Sequence, residues 1–194
     1  MQKVIGGFLL GGIAVVALSF IHPVKQGKEI SLITVAANQP AKKEQIQWLT
    51  LKEAETVLKD NGKPVLIDLY TDWCGWCKVM DKKTYSHPEV IKYINEHFIP
   101  VRLNAETREE LTWLGKQYAY QSAYRVNTYA LYLTQGELSF PTTVILPAKG
   151  ETPQAIAGYL EPKEMEIILH YFGEGHYGNQ SFQQFHHQFS SKWK

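Results

Sequence analysis

Apolar and polar positions divide the chain into three regimes. From Val4 to Ile21 (VIGGFLLGGIAVVALSFI) eighteen residues pass without a charge. From residue 22 to about 45 no period survives, because Pro23, Gly27 and Pro40 interrupt a mixture of polar residues. Within it only Ile30 to Ala37 reads as a candidate edge strand. Beyond it, helix and strand periods alternate. LKEAETVLKD at Leu51 to Asp60 has helical spacing, with Thr50 as a candidate N-cap. VLIDLY at Val65 to Tyr70 is apolar but for one acid and predicts a strand covered on both faces. Gly75 to Thr84 predicts a helix. A second begins at Ser86-His87-Pro88-Glu89, with Val90, Ile91 and Ile94 inward. FIPVRL at Phe98 to Leu103 is the next strand. Glu106 to Tyr120 and Asn127 to Thr134 read as helices, Thr142 to Leu146 and Gln154 to Tyr159 as strands, and Pro162 to Phe172 as a helix. In the tail, Phe182, Phe185, Phe189 and Trp193 again recur at helical spacing. The sum is an α/β domain, a central mixed sheet with helices on both faces.

The uncharged run changes the organisation. Lys3 and the amino terminus precede it, which is the layout of an export signal. A cut after Ser19, with Ala17 at the minus-three position, fits this reading. Eighteen residues are also just long enough to span a bilayer as an anchor. Both versions leave the remaining chain outside the cytoplasm. The expected organisation is a signal peptide or membrane anchor at 1–21, a linker at 22–45, a domain at 46–172 and a helical tail at 173–194.

Composition excludes more than it proposes. The chain has 194 residues, 44% hydrophobic and 20% charged, with a formal net charge of +1. No Lys/Arg block and no Gly-rich phosphate loop appear, which argues against nucleic-acid binding and nucleotide hydrolysis.

The candidate chemistry sits in TDWCGWCK, Thr71 to Lys78, which holds the only two cysteines, Cys74 and Cys77. Three readings compete: a metal clip, a structural staple and a redox pair. Structural zinc needs about four ligands, and one CxxC supplies two. His176, His186 and His187 do not complete a standard spacing. No metal is therefore expected. Haem attachment needs a histidine after the second cysteine, where Lys78 stands. A staple closing so short a loop constrains the unfolded chain little. A cysteine at the junction of a buried strand and a helix N-terminus is biased toward thiolate, the species that attacks in exchange. The residues favour the redox pair over the other two.

TDWCGWCK resembles the active site of the thioredoxin superfamily, WCxxCK, and the resemblance extends over roughly Gln45 to Phe172. Asp68, six residues before Cys74, matches a buried acid. Arg102 in VRLN falls where the family has a lysine facing that acid. Phe140-Pro141-Thr142 resembles the cis-proline loop, and Gly158 in AGY matches a late glycine. With the N-terminal segment, the chain looks like exported bacterial thioredoxin-like proteins.

The resemblance implies a thioredoxin-like fold and a thiol-disulfide oxidoreductase working through a Cys74–Cys77 disulfide, without a dissociable cofactor. Cys74 becomes the nucleophile, Cys77 the resolving thiol and Asp68 the proton acceptor, with Pro141 in the cis form against the sulfurs. Trp73, Gly75, Trp76, Phe140 and Thr142 become the substrate contacts, supported by Lys78 and Arg102. Implied partners are protein thiols and disulfides, and a membrane thiol relay that recharges a reductase. Reduction is the first direction and isomerisation or oxidation the second. A binding module on the same scaffold with an inert disulfide is the reading from another class. The dipeptide Gly75-Trp76 departs from Gly-Pro, which leaves the direction open.

Thirty-six residues separate Asn104 from Pro141, a longer stretch than thioredoxin uses. It carries Trp113, Tyr118, Tyr120, Tyr124, Tyr129 and Tyr132, expected to pack a helical insertion, or else to form a partner surface. Asp81, Lys82 and Lys83 are expected to form a solvated helix face.

Overall fold

The computed structural model describes residues 44–58, 62–147 and 152–193. The expected signal or anchor, most of the linker and the candidate strand at Ile30 to Ala37 lie outside these residues. No described helix is long and apolar enough to cross a membrane.

In chain order the described elements are α1 (Leu51–Leu58), β1 (Val65–Tyr70), α2 (Gly75–Lys83), α3 (Pro88–His97) and β2 (Ile99–Asn104). Next come β3 (Leu111–Trp113), β4 (Lys116–Tyr118), β5 (Tyr120–Gln121), β6 (Val126–Asn127) and α4 (Thr128–Leu133). The chain ends with β7 (Thr142–Leu146), β8 (Gln154–Ala157), α5 (Pro162–Gly173) and α6 (Phe182–Gln188).

The central sheet runs β2-β1-β7-β8. β1 and β2 are parallel, while β7 is antiparallel to β1 and β8 to β7. The mixed sheet with helices on both faces is the expected thioredoxin-like arrangement. Alternate residues of β1 serve different cores, because successive side chains point to opposite faces. Val65, Ile67 and Leu69 pack with α1, α4 and the hairpin residues Trp113 and Tyr118. Leu66 packs with Met80, Tyr85, Ile94, Met165 and Leu169 from the helical side of α2, α3 and α5. Asp68 stands on that second face, in register with Arg102 on β2 and Thr143 on β7.

The expected helix over Glu106 to Tyr120 is instead a hairpin, β3 paired with β4. Leu114 and Gly115 turn it with φ of 50° and 79°. Positive φ at both turn residues matches the right-handed twist of a two-residue hairpin. The pairing Leu111 to Tyr118 and Trp113 to Lys116 puts Leu111, Trp113 and Tyr118 on one face, against α1 and α4. Burial of those aromatics overrides the local helix preference. A second hairpin, β5–β6, follows, and only α4 of the insertion is helical.

The tail is helical in α6, as expected, and is then fastened by a buried acid. Glu166 on α5 is fully buried and accepts from the Ser191 hydroxyl at 2.6 Å and the Lys192 and Trp193 amides at 2.5 and 3.0 Å.

Candidate active site

The site forms where β1 ends and α2 begins. Strand pairing carries Leu69 and Tyr70 to the sheet's edge, and Ala105 N–H caps the Tyr70 carbonyl at 2.8 Å. The chain then turns, with Cys74 N–H donating to the Thr71 carbonyl at 3.1 Å. Cys74 is the N-cap of α2, and its sulfur accepts from the Cys77 amide at 3.0 Å. A helix N-terminus leaves N–H groups free for an acceptor, so the same position would stabilise a thiolate on Cys74. The two cysteines are joined in a disulfide, S–S 2.08 Å. Gly75, exposed and first in the helix, has open space beside it.

Cys74 is only 3% exposed, while Trp73 and Trp76 on either side are 67% and 62% exposed. Trp73 meets Phe140 edge-on at 6.0 Å and donates from Nε1 to Glu106 Oε1 at 3.0 Å. Glu106 is fixed in turn, since its amide donates to Asn104 Oδ1 and Asn104 donates to Asp72. Trp76 lies against Tyr159 at 5.6 Å.

The Phe140–Pro141 peptide bond is cis, as the resemblance implies. The Pro141 carbonyl accepts from Gly158 N–H at 2.8 Å, which ties the loop before β7 to the turn after β8. Gly158 holds φ +100°, a conformation that side chains other than glycine rarely take. Thr142 is buried and its hydroxyl donates to the Ser139 carbonyl at 2.8 Å, so its side chain braces the loop rather than facing a substrate. Lys78 is exposed on α2.

Asp68 is buried beneath this surface, and burial raises its carboxyl to about 7. Arg102 pulls it down, Asp81 pushes it up, and the Tyr85 hydroxyl lowers it. Burial also pushes the Tyr85 phenol well above its ordinary value, with Asp68 adding to the rise. Arg102 is in ion-pair range of both acids and lies over the Tyr70 ring at 4.8 Å. Asp81 therefore does not join Lys82 and Lys83 on a solvated face. It is the outer partner of Arg102.

Sequence reasoning missed Asp81, Tyr159, Glu106 and Asn104. Asp81 had a local signal, since it lies one helical turn beyond Cys77. Among the described residues no group of three or more His, Cys, Asp or Glu is placed to hold a metal. The arrangement can hold a thiolate at Cys74 and a resolving thiol one turn away. It also places a carboxyl beneath the helix that exchanges its proton near neutrality.

Residues 51–173 match the family described as a thioredoxin-like domain. The thiol:disulfide interchange protein DsbD of Escherichia coli K12 is 30% identical over 117 residues, covering 59% of this chain and 18% of that one. An uncharacterized protein of Caenorhabditis elegans is 28% identical over 104 residues, 53% of this chain and 14% of that one. This chain thus spans 14 to 18% of the length of these curated relatives. Among solved structures, a thioredoxin-fold protein from Helicobacter pylori has a TM-score of 0.49 and 20% identity, covering 71% of this chain and 92% of its own. A putative disulphide-isomerase from Bacteroides thetaiotaomicron has a TM-score of 0.49 and 23% identity, covering 71% and 100%. Topology, the cysteine pair at the head of α2 and the match over 51–173 lead to one conclusion: the chain belongs to the thioredoxin-like domain family.

Proposed function

We propose that the protein is a thiol-disulfide oxidoreductase that reduces disulfides in exported proteins. The observation that carries this reading is the Cys74–Cys77 pair at the N-terminus of α2, with the first sulfur already accepting a helix amide. In the reduced protein the Cys74 thiolate attacks one sulfur of a substrate disulfide. The other substrate sulfur leaves as a thiolate and takes a proton. Cys77 gives its proton to Asp68 and displaces the first substrate sulfur. The substrate departs with two thiols, and the protein keeps the Cys74–Cys77 disulfide, having passed on two electrons. In this reading Pro141, which offers no N–H, is the loop residue that lies against the pair. Trp73, Gly75, Trp76 and Phe140 are the substrate contacts, and Arg102 and Lys78 support the charge.

Export rests on the charge-flanked apolar run from Val4 to Ile21, which also allows membrane attachment. In an oxidising compartment a reductase needs recharging, and a membrane thiol relay is the partner that supplies electrons. The similarity to DsbD supports a place in such a relay.

The test is the equilibrium potential of the pair in thiol buffers, read by alkylation of free thiols. A value near about −270 mV supports reduction, and one near about −120 to −180 mV turns the reading to oxidant or isomerase. A folded protein whose pair never exchanges leaves only the binding-module reading.

A further inference from the structure

Five buried side-chain polar atoms have no hydrogen-bond partner among the described residues. Four belong to residues that lie in or cap α3, α4 and α5, namely His87, Tyr93, Tyr129 and His170. The fifth is the hydroxyl of Thr71, the residue on which the cysteine turn is built. The Thr71 carbonyl accepts the Cys74 N–H at 3.1 Å, which closes a turn from residue 71 to residue 74. Thr71 is 1% exposed, so bulk water does not serve its hydroxyl. The neighbouring strands offer it no polar side chain. Ala105 follows the last β1–β2 pair, and Phe140 and Pro141 precede β7. The nearby polar groups are engaged elsewhere: Asp72 accepts from Asn104, Asn104 accepts the Glu106 amide, and Thr142 donates to the Ser139 carbonyl.

A buried hydroxyl without a partner opposes folding. The disulfide form gives it nothing, because a sulfur in a disulfide is uncharged and a weak acceptor. Reduction changes that. An external dithiol supplies two electrons and becomes a disulfide, the Cys74–Cys77 bond breaks, Cys77 takes up a proton and Cys74 stays ionised. A thiolate then stands three residues from Thr71, across a turn that the Thr71 carbonyl itself closes. Hydrogen bonds to an ionised acceptor are roughly twice as strong as those between neutral groups. Cys74 Sγ already accepts the Cys77 amide at 3.0 Å, and the hydroxyl is a second donor of the same kind.

We infer that Thr71 is a further residue of the exchange chemistry: its hydroxyl, idle in the disulfide form, donates to the Cys74 thiolate of the reduced form and so favours the dithiol. The inference rests on the reading of the pair as an exchanging one, and adds a residue that sets its potential. Losing the hydroxyl makes the thiolate harder to form and the protein a stronger reductant.

The test uses the full chain and two readouts. One is the pH midpoint of thiolate formation in the reduced protein, followed by thiolate absorbance. The other is the equilibrium with reduced and oxidised glutathione, read by alkylation of free thiols. Thr71→Val keeps the shape and removes the hydroxyl. Its midpoint should rise by about half a unit to one unit. Its equilibrium should move about three- to tenfold toward the disulfide, which makes the pair about 15 to 30 mV more reducing. Thr71→Ser should restore both values. Thr71→Ala should shift both in the same direction as valine and covers the case in which the valine variant does not fold. In a structure of the reduced wild type, Thr71 Oγ1 should come within hydrogen-bond reach of Cys74 Sγ. A hydroxyl with a purely structural role acts equally on both redox forms, so unchanged readouts in Thr71→Val overturn the inference and leave the exchange reading standing. So does a serine variant that behaves like valine, or a reduced structure in which the hydroxyl turns to another acceptor. A pair that never exchanges with glutathione overturns the exchange reading, and the inference falls with it.

Discussion

Arg102 gives Asp68 its more distant contact. Its Nη2 is 2.6 Å from Asp81, while its Nε is 3.4 Å from Asp68. The guanidinium is thus shared between an outer acid at the surface and an inner acid in the core. Full pairing would hold Asp68 ionised. Divided pairing under burial leaves it titrating at about 7.

Removing the outer acid should shift that balance. In Asp81→Asn the carboxylate that pushes Asp68 up is gone, and Arg102 is released toward Asp68. Both effects lower the Asp68 carboxyl. The pH midpoint for resolution of a Cys74 mixed disulfide, followed by stopped flow, should move down by roughly half a unit to one unit. A midpoint that stays in place would refute the division of Arg102.

Asp68→Asn removes the proposed proton acceptor itself. Resolution by Cys77 near pH 7 should slow by about tenfold or more. Formation of the mixed disulfide at Cys74 should keep its rate. Trapping with alkylating agents separates the two steps, and equal kinetics in both proteins would remove Asp68 from the mechanism.

The same residue makes a stability prediction. Its folded pKa, about 7, is above the unfolded value of 3.8. A raised pKa means that the folded state prefers the proton, so this contribution is complete below about 3.8 and is lost as pH rises to about 7. Above that, ionised Asp68 opposes folding. Asp68→Asn should therefore be more stable than wild type at pH 8, by about 2–4 kcal/mol, and the difference should close toward pH 4. Urea unfolding at both pH values tests this, and a difference independent of pH would contradict it.

Removing Glu166 should destabilise the protein rather than stabilise it. Its carboxylate is what the Ser191 hydroxyl and the Lys192 and Trp193 amides point at. Glu166→Ala should cost about 2–3 kcal/mol, because three donors lose the one buried acceptor they share. Limited proteolysis should then cut near residues 189–193 well before the sheet opens. Unchanged protection of the tail would show that the aromatic contacts of Trp193 hold it without the acid.

The sheet and the cysteine turn were legible because their signals are local. VLIDLY is a doubly covered strand by composition, and the redox motif follows it within four residues. Asp81 was not legible as a partner of Arg102, because that contact depends on how α2 lies over β2. Tyr159 gave no signal beyond standing next to Gly158. The hairpin at Leu111 to Tyr118 was hidden for another reason. Leu111, Leu114 and Tyr118 fit a helical stripe as well as a strand register, and Leu-Gly is not one of the strong turn dipeptides. Glu166 could be suspected only as a charge among the inward positions Met165, Ile168 and Leu169.

Asp68 faces Tyr85 and Arg102 only because β1 is in one particular register with β2 and β7. A slip of one residue would turn that acid toward α1 and α4 and send Leu69 in its place. The cysteines would still head α2, yet the proposed proton acceptor would face the other core. The placement of Asp68 beside Tyr85 and Arg102 is therefore conditional on correct strand registry, and the proposed proton transfer inherits that condition.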